Sequence, residues 1–197
     1  MRKRLKLNTF LIVLFFFLFL LMTPLIIHGK TPQSTQLVKV AYTEKDFVAE
    51  IAQDVKPLAK IYGVRPSVII GQIILETNSG RTLLAARYKN LFSLTARPGQ
   101  DFIGLIKSRP TSQSRGNSKV HFVHYRNWEA SIADYFYTLR NGQLWGKHLY
   151  RLLATEVGYK EAAQALEEYI YPDDKHYSDK LIKVIEENNL TAYDKKN

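Results

Sequence analysis

The pattern of apolar and polar positions begins with a strongly apolar N-terminal segment. Residues 10–27 form an almost unbroken apolar run, and the basic residues of the 1–6 segment precede it. The run has 18 residues, so as a helix it would reach about 27 Å, close to the ~30 Å hydrocarbon core of a membrane. Ile-Ile-His-Gly-Lys then stands where a cleaved export signal would carry small residues. We predict that residues 1–30 act as a membrane anchor or signal segment, followed by a short tether over 31–42.

From Thr43 onward, apolar residues recur at the three-to-four-residue spacing of amphipathic helices. The first predicted helix begins at the capping-box residues Thr43 and Asp46 and ends at Gly63. A shorter helix is predicted from Leu83 to Tyr88. Later helical patterns cover residues 128–139, 144–153, 159–169 and 177–187.

The helix predicted to begin at Pro66-Ser67 differs from the others because it is apolar nearly all round. Such a helix belongs in the centre of a domain. Its interior polar residues, Gln72 and Glu76, are four positions apart and therefore lie on one face.

Residues 102–106 and 120–125 have the pattern of short β-strands, and a polar, basic stretch joins them. We read a β-hairpin inserted midway along a helical chain. No internal repeat interrupts residues 43–197, so we predict one domain, mainly α (α+β), with a small β-lobe.

The composition narrows the possible functions. The chain has 197 residues, 46% hydrophobic, and a formal net charge of +10, which excludes a disordered or fibrous protein and favours an anionic partner. It has no cysteine, which excludes disulfides, a cysteine nucleophile and cysteine-bound metal. Its histidines lack the spacing of metal ligands, so no metal or cofactor is indicated. No base-stacking or groove-reading motif accompanies the basic residues, which argues against nucleic acid as a partner.

Glu76 is the residue that most needs a chemical explanation. A carboxylate near the C-terminal end of an apolar helix lies in a low dielectric and near the negative end of the helix dipole. Both effects favour the protonated form that a general acid requires. The alternative is a glutamate that faces solvent or is neutralised by Arg81 or Arg87.

Residues 66–80, followed by Asn90-Leu91-Phe92, resemble the bacterial endo-β-N-acetylglucosaminidases of glycoside hydrolase family 73, whose pattern is P-S-x-x-x-A-Q-x-x-L-E-S-x-x-G and then N-L-F-G-I-K. Residues 122–125 and 128–134 are similar to the family's F-R-x-Y and S-x-x-x-S-I-x-D elements. Residues 171–194 are similar to its C-terminal Y-A-T-D-P-x-Y-A-x-K-L and Y-N-L-x-x-Y-D elements. The resemblance runs in order over residues 43–194, and it implies a lysozyme-like helical fold with the β-lobe beside a cleft.

The resemblance also implies roles for individual residues. Glu76 takes the position of the general acid that protonates the glycosidic oxygen. Tyr171 takes the position of a cleft tyrosine that positions the acetamido group or water. The alternative is that Tyr171 only packs at the base of the last helix. The expected substrate-binding residues are Gln72, Asn90, Phe92, Tyr125 and Tyr177. For Asn90 and Phe92 the alternatives are a turn cap and a core aromatic.

Two departures from the family pattern affect this interpretation. Thr77-Asn78-Ser79 follow Glu76 where the family usually has serine and then a large residue, so this wall of the cleft is expected to differ. Between Glu76 and Glu129 the chain has no glutamate, and its only aspartate there is Asp101. Asp101 could act as a general base, Glu129 or Asp173 could serve instead, or the substrate's own 2-acetamido oxygen could act as the nucleophile.

We therefore expect a peptidoglycan hydrolase that cleaves the β-1,4 bond between N-acetylglucosamine and N-acetylmuramic acid. The alternatives are a lytic transglycosylase or muramidase, and a catalytically weak glycan-binding scaffold for a membrane partner. The expected location is the extracellular face of the bacterial membrane or the cell wall. The expected partners are the peptidoglycan strand, the membrane through the N-terminal helix and, as a further option, a membrane protein.

Overall fold

The computed structural model describes residues 7–28, 31–107, 119–155 and 158–195, with residues 21–28 described by their backbone alone. The chain divides into two compact units, Met1–Pro32 and Gln33–Asn197. The first unit contains helix α1, Leu7–His28. The two ends of the predicted anchor segment, residues 1–6 and 29–30, lie outside the described residues. The expected membrane anchor has no structural support, since none of the described helices is both long and apolar enough to cross a membrane.

The second unit confirms the predicted elements to within a few residues. Its α-helices are α2 Glu44–Tyr62, α3 Pro66–Thr77, α4 Leu83–Tyr88, α5 Trp128–Asn141, α6 Gly146–Ala154, α7 Tyr159–Tyr169 and α8 Tyr177–Glu187. Strands β1 Phe102–Ile106 and β2 Lys119–Val123 form an antiparallel pair, and a 3-10 helix covers Leu190–Asp194. The described part of this unit is therefore mainly helical with a small β-hairpin, which is the fold class that the sequence predicts.

Local chemistry explains where α2 begins and ends. The Thr43 hydroxyl accepts from the Asp46 backbone N–H, and the Asp46 carboxylate accepts from the Thr43 backbone N–H at 3.1 Å. This reciprocal pair is the capping box expected from the sequence. Gly63 ends the helix with φ +70°, a left-handed conformation that glycine adopts at low cost.

Helix α3 is the central element, and α2, α7, α8 and the 3-10 helix pack around it. Nine of its twelve residues are buried. The close approach of α8 requires Gly71, because a Cβ atom there would lie 2.9 Å from Leu181 and 3.0 Å from Ile185. The absence of a side chain at this position thus lets α8 close over the face of α3.

The hairpin pairs Phe102 with Val123 and Ile106 with Lys119. One face of it is apolar and packs on α4 in a separate small core, formed by Leu83, Leu84, Leu105 and Phe122. The polar stretch predicted between the strands covers residues 108–119, and all of it except Lys119 lies outside the described residues. The hairpin is thus a second lobe that α4 supports.

The segment predicted as a tether takes part in the domain. The Ser34 backbone N–H donates to the Ile106 carbonyl at 3.0 Å, and the Leu83 backbone N–H donates to the Gln36 carbonyl at 2.7 Å. Val38 donates in the same way to Arg81 at 2.9 Å. These bonds tie residues 33–38 to β1 and to the start of α4, so the compact unit begins at Gln33 and not at Thr43.

Candidate active site

Glu76 is the penultimate residue of α3, and its side chain is half-buried. The chain turns sharply after it, with Asn78, Ser79 and Gly80 all in the left-handed region at φ +49°, +56° and +78°. The Thr77 hydroxyl stabilises this turn by donating to the Ile73 carbonyl at 2.6 Å and accepting from the Gly80 backbone N–H at 2.8 Å. The turn therefore holds the end of α3, and with it the backbone of Glu76, in one position.

An aromatic cluster supports the same turn from outside. The Tyr42 hydroxyl donates to the Gly80 carbonyl at 2.7 Å, and the ring of Tyr42 stacks on Phe47 with centroids 5.7 Å apart. Trp128 meets both rings edge to face. A Cβ atom at Gly80 would lie 2.5 Å from the Phe47 ring, so only glycine fits both the backbone conformation and the space.

Gln72, one turn before Glu76 on α3, joins two tyrosines from distant parts of the chain. Its side-chain nitrogen donates to the Tyr171 hydroxyl at 3.1 Å, and its side-chain oxygen accepts from the Tyr135 hydroxyl at 2.8 Å. Gln72 and Tyr135 are buried, whereas Tyr171 is half-buried. Because the Tyr171 oxygen accepts from Gln72, its own proton can be donated to another group.

Face-to-face stacking fixes the orientation of these tyrosines. Tyr171 stacks on Tyr177 with ring centroids 3.7 Å apart and planes 12° apart. Tyr135 stacks on Phe92 with centroids 3.8 Å apart and planes 8° apart. Three separate segments thus meet beside α3: the loop after α4, helix α5, and the chain from the end of α7 to the start of α8.

Glu76 is electrostatically coupled to all three tyrosines. Burial is the largest cause of the raised pKa of Tyr135, Tyr171 and Tyr177, and the negative charge of Glu76 raises each of them further. The three hydroxyls therefore stay protonated and remain hydrogen-bond donors across the physiological range. The site combines one carboxylate with a set of fixed hydroxyl groups.

Tyr177, predicted as a substrate-binding residue, is 2% exposed. Its hydroxyl oxygen makes no well-formed hydrogen bond within the described part of the chain, although after burial, which raises its pKa, the nearby Tyr171 hydroxyl acts to lower that pKa. Its ring supports Tyr171 by stacking. The side chain therefore contributes mainly packing to the site.

Asn90 and Phe92, also predicted at the substrate, have structural contacts. The Asn90 side chain donates to the carbonyls of Leu94 and Val123 at 2.9 and 3.0 Å and accepts from the Leu94 backbone N–H at 3.1 Å. It is 1% exposed. These contacts match the turn-cap alternative for Asn90, and the stacking of Phe92 on Tyr135 matches the core-aromatic alternative.

Tyr125 takes part in a network that connects the β-lobe to α5. Its hydroxyl donates to Asp134 at 2.7 Å, Gln100 donates to the same carboxylate at 3.1 Å, and Arg97 forms an ion pair with it at 2.5 Å. Burial alone would raise the pKa of Asp134, but these three donors outweigh it and lower the pKa. The structure places Tyr125 in this network, where its hydroxyl already donates a hydrogen bond to Asp134.

None of the described hydrogen bonds or ion pairs joins a candidate second carboxylate to the three tyrosines. Asp101 is largely exposed and its carboxylate lies 3.0 Å from the His124 ring nitrogen. Glu129 is exposed on the first turn of α5 and its charge helps to raise the pKa of Asp54, for which burial is the largest cause. Asp173 is exposed between α7 and α8.

The contacts of Tyr135 and Thr77 were not anticipated from the sequence. Tyr135 follows Asp134 within an amphipathic helix, where its spacing is that of any core aromatic. Thr77 appears in the sequence only as a departure from the serine of the family pattern. Over the described residues, no cluster of three or more histidine and acidic side chains could hold a metal ion.

The chain is similar to known proteins in both sequence and structure. The family model described as mannosyl-glycoprotein endo-beta-N-acetylglucosaminidase matches residues 52–190. The catalytic domain of the autolysin Auto from Listeria monocytogenes has a similar structure, with a TM-score of 0.68 and 29% identity over 80% of this chain and 91% of that domain. This likeness confirms the lysozyme-like helical fold that the resemblance implied.

Two proteins of known sequence are also similar. The exo-glucosaminidase LytG of Bacillus subtilis (strain 168) is 29% identical over 202 residues, which cover 100% of this chain and 71% of that protein. A probable N-acetylmuramidase of Lactococcus lactis subsp. cremoris (strain MG1363) is 31% identical over 171 residues, which cover 82% of this chain but 38% of that protein.

Proposed function

Because the chain belongs to the mannosyl-glycoprotein endo-beta-N-acetylglucosaminidase family and is thus a glycoside hydrolase, we propose that it cleaves peptidoglycan between N-acetylglucosamine and N-acetylmuramic acid, with Glu76 as the general acid. The observation that carries the proposal is the place of Glu76, half-buried at the end of the buried helix α3, on the same helix as Gln72, which holds Tyr171. A carboxylate in such a place can be reached by a glycan from outside, as proton transfer to a glycosidic oxygen requires.

Tyr171 is proposed as the residue that positions the substrate. Gln72 donates to its oxygen, so the Tyr171 proton is directed away from Gln72 and can bind the acetamido oxygen or a water molecule. Stacking on Tyr177 prevents the ring from turning away. Gln72 acts behind Tyr171 as a positioning residue.

We propose that the 2-acetamido group of the substrate replaces a second carboxylate. Its carbonyl oxygen attacks the anomeric carbon as Glu76 gives its proton to the departing oxygen; water then opens the oxazolinium ring at that carbon and returns a proton to Glu76. This route is supported by the surroundings of the other candidate carboxylates. Asp101 contacts the His124 ring, and Glu129 and Asp173 are exposed. The route predicts retention of anomeric configuration, which NMR of early products measures.

The sugar found at the new reducing end shows which glycosidic bond the protein cleaves. Purified peptidoglycan is digested with the protein, reduced with borohydride and analysed by mass spectrometry. Reduced N-acetylglucosamine at the new ends supports the proposal. A 1,6-anhydromuramyl end would instead identify a lytic transglycosylase.

A second candidate function is an N-acetylmuramidase. The specific observation in its favour is the 31% identity to the probable N-acetylmuramidase of Lactococcus lactis, over 82% of this chain. Both activities need one general acid beside a sugar-binding cleft, so Glu76 would keep its role. Reduced N-acetylmuramic acid at the new ends would select this candidate.

The proposed place of action is outside the cytoplasmic membrane, at its outer face or in the wall. It is supported by the basic head and the apolar run of residues 10–27. Cell fractionation with protease treatment of intact cells tests it. Recovery of the protein from the membrane fraction would favour a membrane anchor, whereas recovery from the medium would favour a cleaved signal. Protection of the protein from protease in intact cells would contradict the proposed location.

A further inference from the structure

A concave site lies at the opposite end of α3 from Glu76. It is a groove of about 820 Å³ between the last turns of α2, the start of α3, the end of α6 and the C-terminal 3-10 helix. Its lining includes Pro66, ten residues before Glu76, a separation of about 15 Å along the helix axis. A ligand in this groove would therefore leave the tyrosine cluster accessible.

The groove has a marked excess of positive charge. Its lining contains four cationic side chains, Lys56, Lys60, Arg65 and Lys195, against one acid, Asp194. That acid is already engaged: it accepts from the Ser67 backbone N–H at 2.8 Å and from the Ser67 hydroxyl at 2.7 Å, and it pairs with Arg65 at 3.6 Å. The N-terminus of α3 is thus capped from within the chain, and the three lysines supply the attraction for an anion.

These lysines differ from three helix lysines elsewhere in the domain. Lys160, Lys180 and Lys183 each have an ion-pair partner among Glu186, Asp174 and Glu187. Within the described ranges, by contrast, Lys56, Lys60 and Lys195 have none. Lys56 and Lys60 are also four residues apart on α2, where like charges repel across one helical turn. This arrangement costs stability, and no contact among the described residues offsets the cost, so an anionic ligand would supply the counter-charge.

The apolar lining of the groove indicates what kind of anion fits. Pro57, Val64 and Tyr193 line the groove together with the lysines, so a ligand meets apolar surface as well as positive charge. Lysine binds phosphate as a point charge without the planar geometry that arginine imposes. A chain in which phosphates alternate with short carbon segments matches both features.

We propose that this groove binds a phosphodiester-linked polyol chain. The choice of a wall polymer as its source rests on the proposed function, which places the protein outside the cell membrane. A concave groove suits a single flexible chain, whereas an acidic membrane surface is wide and needs a flat or convex basic face. Binding there would hold the hydrolase in the wall while α3 presents Glu76 to the glycan.

The experiment measures binding of soluble poly(glycerol phosphate) to the full-length protein by calorimetry. The test variant carries Lys56→Gln, Lys60→Gln and Lys195→Gln. The matched control carries Lys39→Gln, Lys147→Gln and Lys175→Gln, which removes the same charge from exposed positions elsewhere. Since each exposed charge contributes a modest interaction, we expect the test variant to bind about tenfold more weakly and the control to bind like the wild type.

Four results would overturn the proposal. The first three are no binding by the wild type, equal weakening in both variants, and binding of poly(glutamate) as tight as that of the polymer. A fourth is tighter binding to phosphatidylglycerol vesicles than to the polymer, with the same loss in the test variant, which would assign the groove to the membrane. A Lys→Arg version of the test variant should retain binding, and thermal unfolding checks that each variant is folded. Cleavage of polymer-free peptidoglycan by the wild type is assayed separately, so failure of the proposed function is seen apart from failure of the groove.

Discussion

The side-chain nitrogen of Gln72 donates to the hydroxyl of Tyr171 at 3.1 Å, although 99 residues separate them in the sequence. This bond connects the helix that carries Glu76 with the segment between α7 and α8. It leaves the Tyr171 proton available for another acceptor. The position of Tyr171 beside Glu76 therefore depends on α3 itself.

The first prediction concerns Gln72→Met, which keeps the length of the side chain but removes both hydrogen bonds. The buried Tyr135 hydroxyl loses its acceptor and Tyr171 loses its donor. We expect a loss of roughly 2–4 kcal/mol in the free energy of unfolding and a marked fall in glycan cleavage. Urea unfolding measures the first effect, and a change below about 0.5 kcal/mol would show that the bridge carries no net stability.

The second prediction contrasts two tyrosines. Tyr177→Phe removes a buried hydroxyl that makes no well-formed hydrogen bond in the described structure, so it should leave the stability unchanged or raise it by up to about 1 kcal/mol. Tyr135→Phe removes a hydroxyl that donates to Gln72 at 2.8 Å. This substitution should lower the free energy of unfolding by about 1–2 kcal/mol. Thermal unfolding of the pair compares them directly. Equal losses would mean that the Tyr177 hydroxyl has a partner in solution.

The third prediction concerns the pH dependence that Asp134 gives to the junction of the β-lobe and α5. Its pKa is lower in the folded chain than in the unfolded chain, where it is near 4. Its contribution is therefore complete above pH ~4 and declines as the pH falls through the lowered folded value. Urea unfolding of the wild type and Asp134→Asn should differ most at neutral pH and converge in acid. A difference that is constant with pH would contradict the assignment.

The fourth prediction concerns the cap that Asp194 provides for α3. Arg65, at the N-cap position, makes no side-chain capping bond, and Asp194 instead accepts from the Ser67 backbone and hydroxyl. Asp194→Ala should cost about 1–2 kcal/mol. In a double-mutant cycle with Ser67→Ala the two losses should not add, because both variants remove the same hydroxyl contact. Strict additivity would show that the contact is unimportant in solution.

Local signals made the helices predictable. The capping box of Thr43 and Asp46 predicted the start of α2, and Gly63 predicted its end. Pro66 predicted the start of α3. These signals are local because capping and backbone preferences act within a few residues. The apolar character of α3 indicated its central place. The family resemblance added the position of Glu76 and the lysozyme-like fold.

The remaining features depend on contacts between distant residues. The hydroxyl of Tyr135 meets Gln72 across 63 residues, and Asp194 caps α3 across 127. Residues 33–38 have the composition of a linker, yet their backbone pairs with β1 and α4. The hydrophobic periodicity of a segment predicts which of its faces is buried, but it does not predict which distant residue that face contacts.

The most direct test of the central claim compares the wild type with Glu76→Gln on purified peptidoglycan. Released fragments are quantified by mass spectrometry, while binding to the insoluble glycan and thermal unfolding are measured on the same preparations. The account predicts that Glu76→Gln folds and binds the glycan but releases fragments at least about 100-fold more slowly, the scale of a lost general acid. Release by Glu76→Gln at the rate of the wild type would contradict the account.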